Sequence, residues 1–220
     1  MRTIKQHIIL ILFVITSSCN AQKRFVENDD FCEFDDRIHF EEKKLFITAK
    51  EDSILSHQGY FIRVDNDSTK VRLSKHPNNG TTTLNKINKI LGIQKSIVYK
   101  DLNIIGSFFK YIEGNLNIGK EIEYDLNGNS IKTIDHRQSD NYPICFKEAI
   151  HIVENRIAKK DTVFSINREK EIIKNKDTLY YWEVFVDEIN DKPARTAWIY
   201  RVDGKTGKIL KKISAVTGLH

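Results

Sequence analysis

The chain has 220 residues, 40% hydrophobic and 30% charged, with a formal net charge of +5. That balance excludes a disordered chain and a polytopic membrane protein, and it leaves room for one large domain or two small ones. Lysines alternate with acids along the whole length, so no basic stripe points to nucleic acid.

Residues 1–18 have the layout of a secretory signal. Arg2 and Lys5 stand without an acid, Ile8 to Ile15 is wholly apolar, and Thr16, Ser17, Ser18 and Cys19 follow. The apolar run is too short to span a bilayer. T-S-S-C resembles the lipobox of bacterial lipoproteins, with Thr16 where that motif has Leu, Val or Ile. The resemblance implies that Cys19 is lipidated and becomes the first residue of the mature chain. S-C-N-A-Q is similar to lipoproteins of the Bacteroidetes type. The competing expectation is ordinary cleavage after Ala21, which gives a soluble periplasmic or secreted protein. On the first expectation the protein faces the periplasm or the cell surface, and it touches the membrane through its lipid alone. Loss of Arg2 and Lys5 lowers the net charge of +5 by two.

Residues 19–36 read as a tether. E-N-D-D-F-C-E-F-D-D is strongly acidic but lacks the glycine and terminal glutamate of a calcium loop. Cys32 and Cys145 are the two cysteines beyond Cys19. Export allows a disulfide between them, which would contribute roughly 4 kcal/mol in the chain-entropy model. Two separately buried thiols are the alternative. No CxxC, HExxH or paired Cys/His spacing appears, so neither a metal nor a cofactor is expected.

Residues 37–140 are expected to form an N-terminal, hairpin-rich α+β region. H-F-E-E-K-K-L-F-I-T-A-K suits a helix or a strand. G-Y-F-I-R-V-D and T-K-V-R-L flank D-N-D-S and predict a hairpin. Leu84, Ile87, Ile90 and Leu91 recur at helical spacing before Gly92, which predicts one short helix over 82–93. From 100 to 137, strands separated by Gly and Asn predict further hairpins. Y-D-L-N-G-N-S-I-K within 111–135 resembles a single unit of MORN-variant repeats, and one unit implies only a hairpin.

Residues 141–220 change period. Phe146, Ala149, Ile150, Val153 and Ile157 mark an amphipathic helix. Strands follow that set Tyr180, Trp182, Val184 and Val186, then Trp198, Tyr200 and Val202, on one face. Gly204 and Gly207 of G-K-T-G are expected to supply positive backbone dihedrals for the last reversal. The helix pattern, Y-W-E-V-F-V and the closing Y-R-V-D-G-K-T-G-K-I-L resemble a PepSY domain over 143–213, with Gly204 where that family often has Ala. The fold class expected is therefore α+β. An antiparallel sheet with a helix packed on one face forms the PepSY-like C-terminal part, preceded by the hairpin-rich β region with one short helix. The resemblance implies an envelope module, often regulatory, with protease inhibition proposed for some members and no catalytic residues to carry over.

No catalytic set emerges. His39, His57, His76, His136 and His151 show neither metal spacing nor a G-x-S-x-G partner. Ser56–His57 and Asp135–His136 are neighbours only in sequence, and Glu41–Glu42 and Asp35–Asp36 read as solvated acids. The function expected is a non-catalytic envelope lipoprotein that binds a protein or cell-wall component. An envelope hydrolase and an immunity or antitoxin-like protein are the alternatives.

Overall fold

A computed structural model describes Cys32 and residues 37–173, 177–189 and 196–215. The signal, Cys19, Ala21, Asp35 and Asp36 lie outside the described residues. Seven strands, β1 (Tyr60–Asp65), β2 (Thr69–His76), β3 (Thr81–Asn88), β4 (Ile93–Lys100), β5 (Asn103–Tyr111), β6 (Leu116–Tyr124) and β7 (Ser130–Asp135), form one antiparallel sheet in chain order. Every strand pairs with the next, so every connection is a hairpin. The turns match their residues. Asp101 and Leu102 both take positive φ between β4 and β5, and the Asp125 carboxylate accepts the Asn127 and Asn129 N–H groups between β6 and β7.

Helix α1 (Ala49–Gln58) packs against this sheet. It starts on a reciprocal cap in which the Thr48 hydroxyl accepts the Glu51 N–H and the Glu51 carboxylate accepts the Thr48 N–H. It stops at Gly59, whose φ of 76° closes the C-terminus. Leu55 of α1 joins Leu45, Leu73, Leu84, Ile97 and Ile104 in a first core.

A second antiparallel sheet holds β8 (Thr162–Ile172), β9 (Thr178–Glu188), β10 (Thr196–Asp203) and β11 (Ile209–Ala215), in the order β11-β10-β9-β8. Helix α2 (Phe146–Glu154) buries Phe146, Ala149, Ile150 and Val153, the one-face spacing of an amphipathic helix. Trp182, 1% exposed, donates its indole N–H to the Ile144 carbonyl at 2.8 Å. This second core does not end at the second sheet. Ile93, Phe109, Tyr111 and Ile118 of the first sheet belong to it, and the Tyr111 ring stands 4.9 Å from that of Phe146.

The α+β, PepSY-like fold class is thereby overturned. Among the described residues the chain is mostly β, with eleven strands in two antiparallel sheets and only two short α-helices. The helix predicted over 82–93 is strand β3 followed by a turn. Its β-branched start, T-T-T, favours extended backbone, and Leu84 sits in one row with Leu73 and Ile97 across three strands. Ile90 and Leu91 are exposed in the turn rather than on a helix face. The G-K-T-G reversal also differs in part. Gly207 takes φ +70°, whereas Gly204 is required for close approach, because a Cβ there would stand 2.8 Å from the Tyr142 ring.

Trp182→Ala is expected to destabilise the protein by about 3–5 kcal/mol. Urea denaturation should show one transition shared by probes in both sheets, because they share the second core. Two separated transitions would mean that the sheets unfold independently.

Candidate functional site: a cation-lined groove between the sheets

Most titratable groups singled out in the sequence have structural partners. His57 Nδ1 lies 2.7 Å from the Ser53 carbonyl, while Ser56 receives the Lys75 ammonium. His76 Nε2 meets the Thr83 hydroxyl at 3.1 Å. His136 Nε2 meets Glu121 at 2.7 Å, while Asp135 pairs with Arg137. His151 stands 3.9 Å from Glu154 on α2. The His39 backbone N–H donates to the Glu42 carboxylate. These histidines are spread over separate elements and do not converge.

Glu41 is exposed, but Glu42 is buried and receives Lys86 at 2.5 Å and Lys95 at 2.8 Å, which corrects its reading as a solvated acid. Burial alone would raise its pKa. The hydrogen bonds from Lys86 and Lys95, with the Lys95 charge and the His39 N–H, outweigh that and hold the carboxyl below its ordinary range. A concavity of about 270 Å³ beside Phe109 includes both lysines in its walls, and both are bonded to the Glu42 carboxylate.

Cys32 and Cys145 are joined to each other, with Cα atoms 6.3 Å apart. Glu148 is close to both sulfurs and accepts the Cys145 N–H as the cap of α2. With the sulfurs bonded to one another, this cluster offers no thiolate to a metal.

Another concavity lies where the two sheets meet. An open groove of about 570 Å³ is walled by Lys110, Gly114, Asn115, Leu116 and Asn117 from the β5–β6 hairpin, by Gln138, and by Asn167, Arg168 and Glu169 of β8. Its position is fixed by backbone contact. A Cβ on Gly114 would stand 2.5 Å from the Ile166 carbonyl oxygen, so only glycine lets the hairpin meet the edge strand this closely. Asn115 and Gln138 both take positive φ, 48° and 50°. The Gln138 carbonyl accepts the N–H groups of Asn141 and Tyr142, a turn that delivers Tyr142 to the core.

Arg168 is the unusual member. It pairs in register with Trp182, and its guanidinium carbon stands 5.1 Å from the Trp182 ring and 5.3 Å from the Tyr142 ring. The Tyr142 hydroxyl donates to the Glu169 carbonyl at 2.6 Å, which locks that ring in place. Burial pushes the Tyr142 phenol up to about 12 and pulls Arg168 down from the usual arginine range, yet an arginine remains charged. Its Nε is buried without a hydrogen-bond partner, and among the described residues no carboxylate pairs with it. Across the groove, Lys110 donates to the neutral Asn115 side-chain carbonyl at 3.1 Å and stands 5.7 Å from the Phe108 ring, with no carboxylate partner among the described residues. Partial burial of a lone cation costs several kcal/mol. Cation–π contacts return about 2 kcal/mol or more each when desolvated. The balance leaves the guanidinium stable but open to an anion.

Sequence reasoning missed this site. One signal was present: Arg168 lies two residues after the buried Ile166, hence on the core-facing side of β8, where a charge is out of place. Comparison with protein-family models, curated proteins and solved structures finds no match to this chain.

The titration of Glu51 provides a test of the electrostatics. The Arg63 hydrogen bond, at 2.7 Å, is the largest cause of its shift; burial opposes it, Thr48 reinforces it, and the carboxyl is held at about 2. The folded value lies below the ordinary 4.5, so the stabilisation is complete above about pH 4.5 and is lost as pH falls toward 2. Glu51→Gln is expected to cost about 1.5–3 kcal/mol at neutral pH. Urea midpoints of the two proteins should converge between pH 4.5 and pH 2.

Proposed function

We propose that this chain is an exported, non-catalytic binding protein, held at the membrane by lipid on Cys19, whose inter-sheet groove receives a protein or cell-wall component. One observation carries the binding reading. The groove presents two cations without carboxylate partners, Arg168 and Lys110, beside the side-chain amides of Asn115, Asn117, Gln138 and Asn167. Amides both donate and accept, so such a wall suits a polar ligand better than an apolar one. The Cys32–Cys145 pairing supports export, because such bonds persist in oxidising compartments. The basic start, apolar run and T-S-S-C support lipidation of Cys19. No helix among the described residues is long and apolar enough to cross a membrane.

The test is site-directed photocrosslinking in intact cells. A photoreactive side chain at Asn117, inside the groove, is expected to give a discrete adduct, whereas one at Asp67 in the exposed β1–β2 turn should not. Mass spectrometry of the same sample should find the Cys19 peptide carrying a lipid. Equal labelling at both positions, or none at Asn117, would overturn the groove as the binding site.

A further inference from the structure

The geometry points to a specific ligand chemistry: the groove between the sheets is an oxyanion site, in which Arg168 grips a carboxylate or phosphate group of the bound molecule and Lys110 closes on it. This rests on the reading of the groove as the binding site and names what that site selects. Arg63, Arg137 and Arg201 each meet a carboxylate of this chain, Glu51, Asp135 and Glu183 respectively. Arg168 has no such partner, although it is more enclosed than an exposed surface arginine and its Nε is shut away from solvent.

The side chain is held ready. The Trp182 and Tyr142 rings, themselves buried, support one side of the guanidinium, and the Tyr142 hydroxyl is fixed to the β8 backbone. A planar fork held in this way loses little freedom on meeting a two-oxygen anion. Lys110 adds a second charge, whose partners, the Asn115 amide and the Phe108 ring, are both neutral, so that an anion can compete for it. By strand alternation the Glu169 side chain points away from Arg168, toward the face of Tyr181, so the guanidinium keeps its charge uncompensated by its neighbour. Both simple anions share the recognised chemistry, so the probes must separate them.

The experiment uses the full mature chain with its disulfide intact and its arginines labelled with nitrogen-15. The Arg168 Nε–H resonance is followed during titration with sodium acetate and with sodium phosphate, with sodium chloride at matched ionic strength as the control. A saturable shift with a Kd on the order of 1–10 mM is expected for at least one oxyanion. Saturation by acetate assigns a carboxylate ligand, and saturation by phosphate alone assigns a phosphate. Lys110→Gln, at a position outside both cores, should weaken binding about 3–10-fold without changing the melting temperature. Arg168→Lys, checked for an unchanged fold by its spectrum, should abolish saturation monitored on neighbouring amides. A response to chloride equal to that of the oxyanions, saturation retained in Arg168→Lys, or no saturation at all would overturn the inference. A crosslink at Asn117 together with no anion binding would leave the groove as a binding site and remove only its anion chemistry.

Discussion

The hydrogen bond from the Trp182 indole to the Ile144 carbonyl organises the second half of the molecule. Burying a tryptophan is costly unless its N–H finds an acceptor, and here that acceptor belongs to the segment that connects the two sheets. The same segment is bonded to the last turn: the Ile144 N–H donates to the Gly204 carbonyl, while the Gly204 N–H donates to Tyr180. Connector, strand β9 and the β10–β11 turn are thus fixed together. Cys145, the next residue, starts α2 and carries the link to Cys32. The aromatic pair Tyr142 and Trp182, 5.0 Å between centroids, then supplies the surface on which Arg168 rests.

How much of this was legible follows from the range of each interaction. Strands β8 to β11 were readable because a sheet with one buried face alternates, and Tyr180, Trp182, Val184 and Val186 state that period clearly. The hairpins after residue 100 were readable because Asp, Asn and Gly mark the turns. The region over 82–93 was misread because Leu84, Ile87 and Ile90 fit a helical period by coincidence, and only pairing with β2 and β4 decides the matter. Helix α1 carried a local signature, Thr48 with Glu51 three residues on, that the apolar pattern concealed. The class was misjudged for a related reason. A helix lying on a four-stranded sheet is present, but its core continues into Phe109, Tyr111 and Ile118 of a larger all-antiparallel sheet.

The groove as an assembly was not legible, and the charge at Arg168 on the core-facing side of β8 was its one local sign. It is assembled from the β5–β6 hairpin, the turn at Gln138 and the middle of β8, three stretches far apart in the chain. No spacing rule links them. They meet because Gly114 can approach the β8 backbone and because the Gln138 turn returns the chain to Tyr142, and both are consequences of packing.

Stability alone gives a poor account of Arg168. The fold uses ion pairs where it needs to neutralise a buried charge: Glu42 has two lysines, and Glu51 has Arg63. At the register position opposite Trp182 an apolar side chain of similar length would fill the same space against the two rings, and replacing an enclosed charge by such a side chain is often neutral or stabilising. A guanidinium there adds desolvation and an unsatisfied Nε, which an apolar residue would avoid. What the guanidinium contributes that a methionine could not is a directed charge on the wall of a polar groove. The anionic ligand proposed above accounts for the placement through the terminal nitrogens of the guanidinium, since the buried Nε itself is out of a ligand's reach.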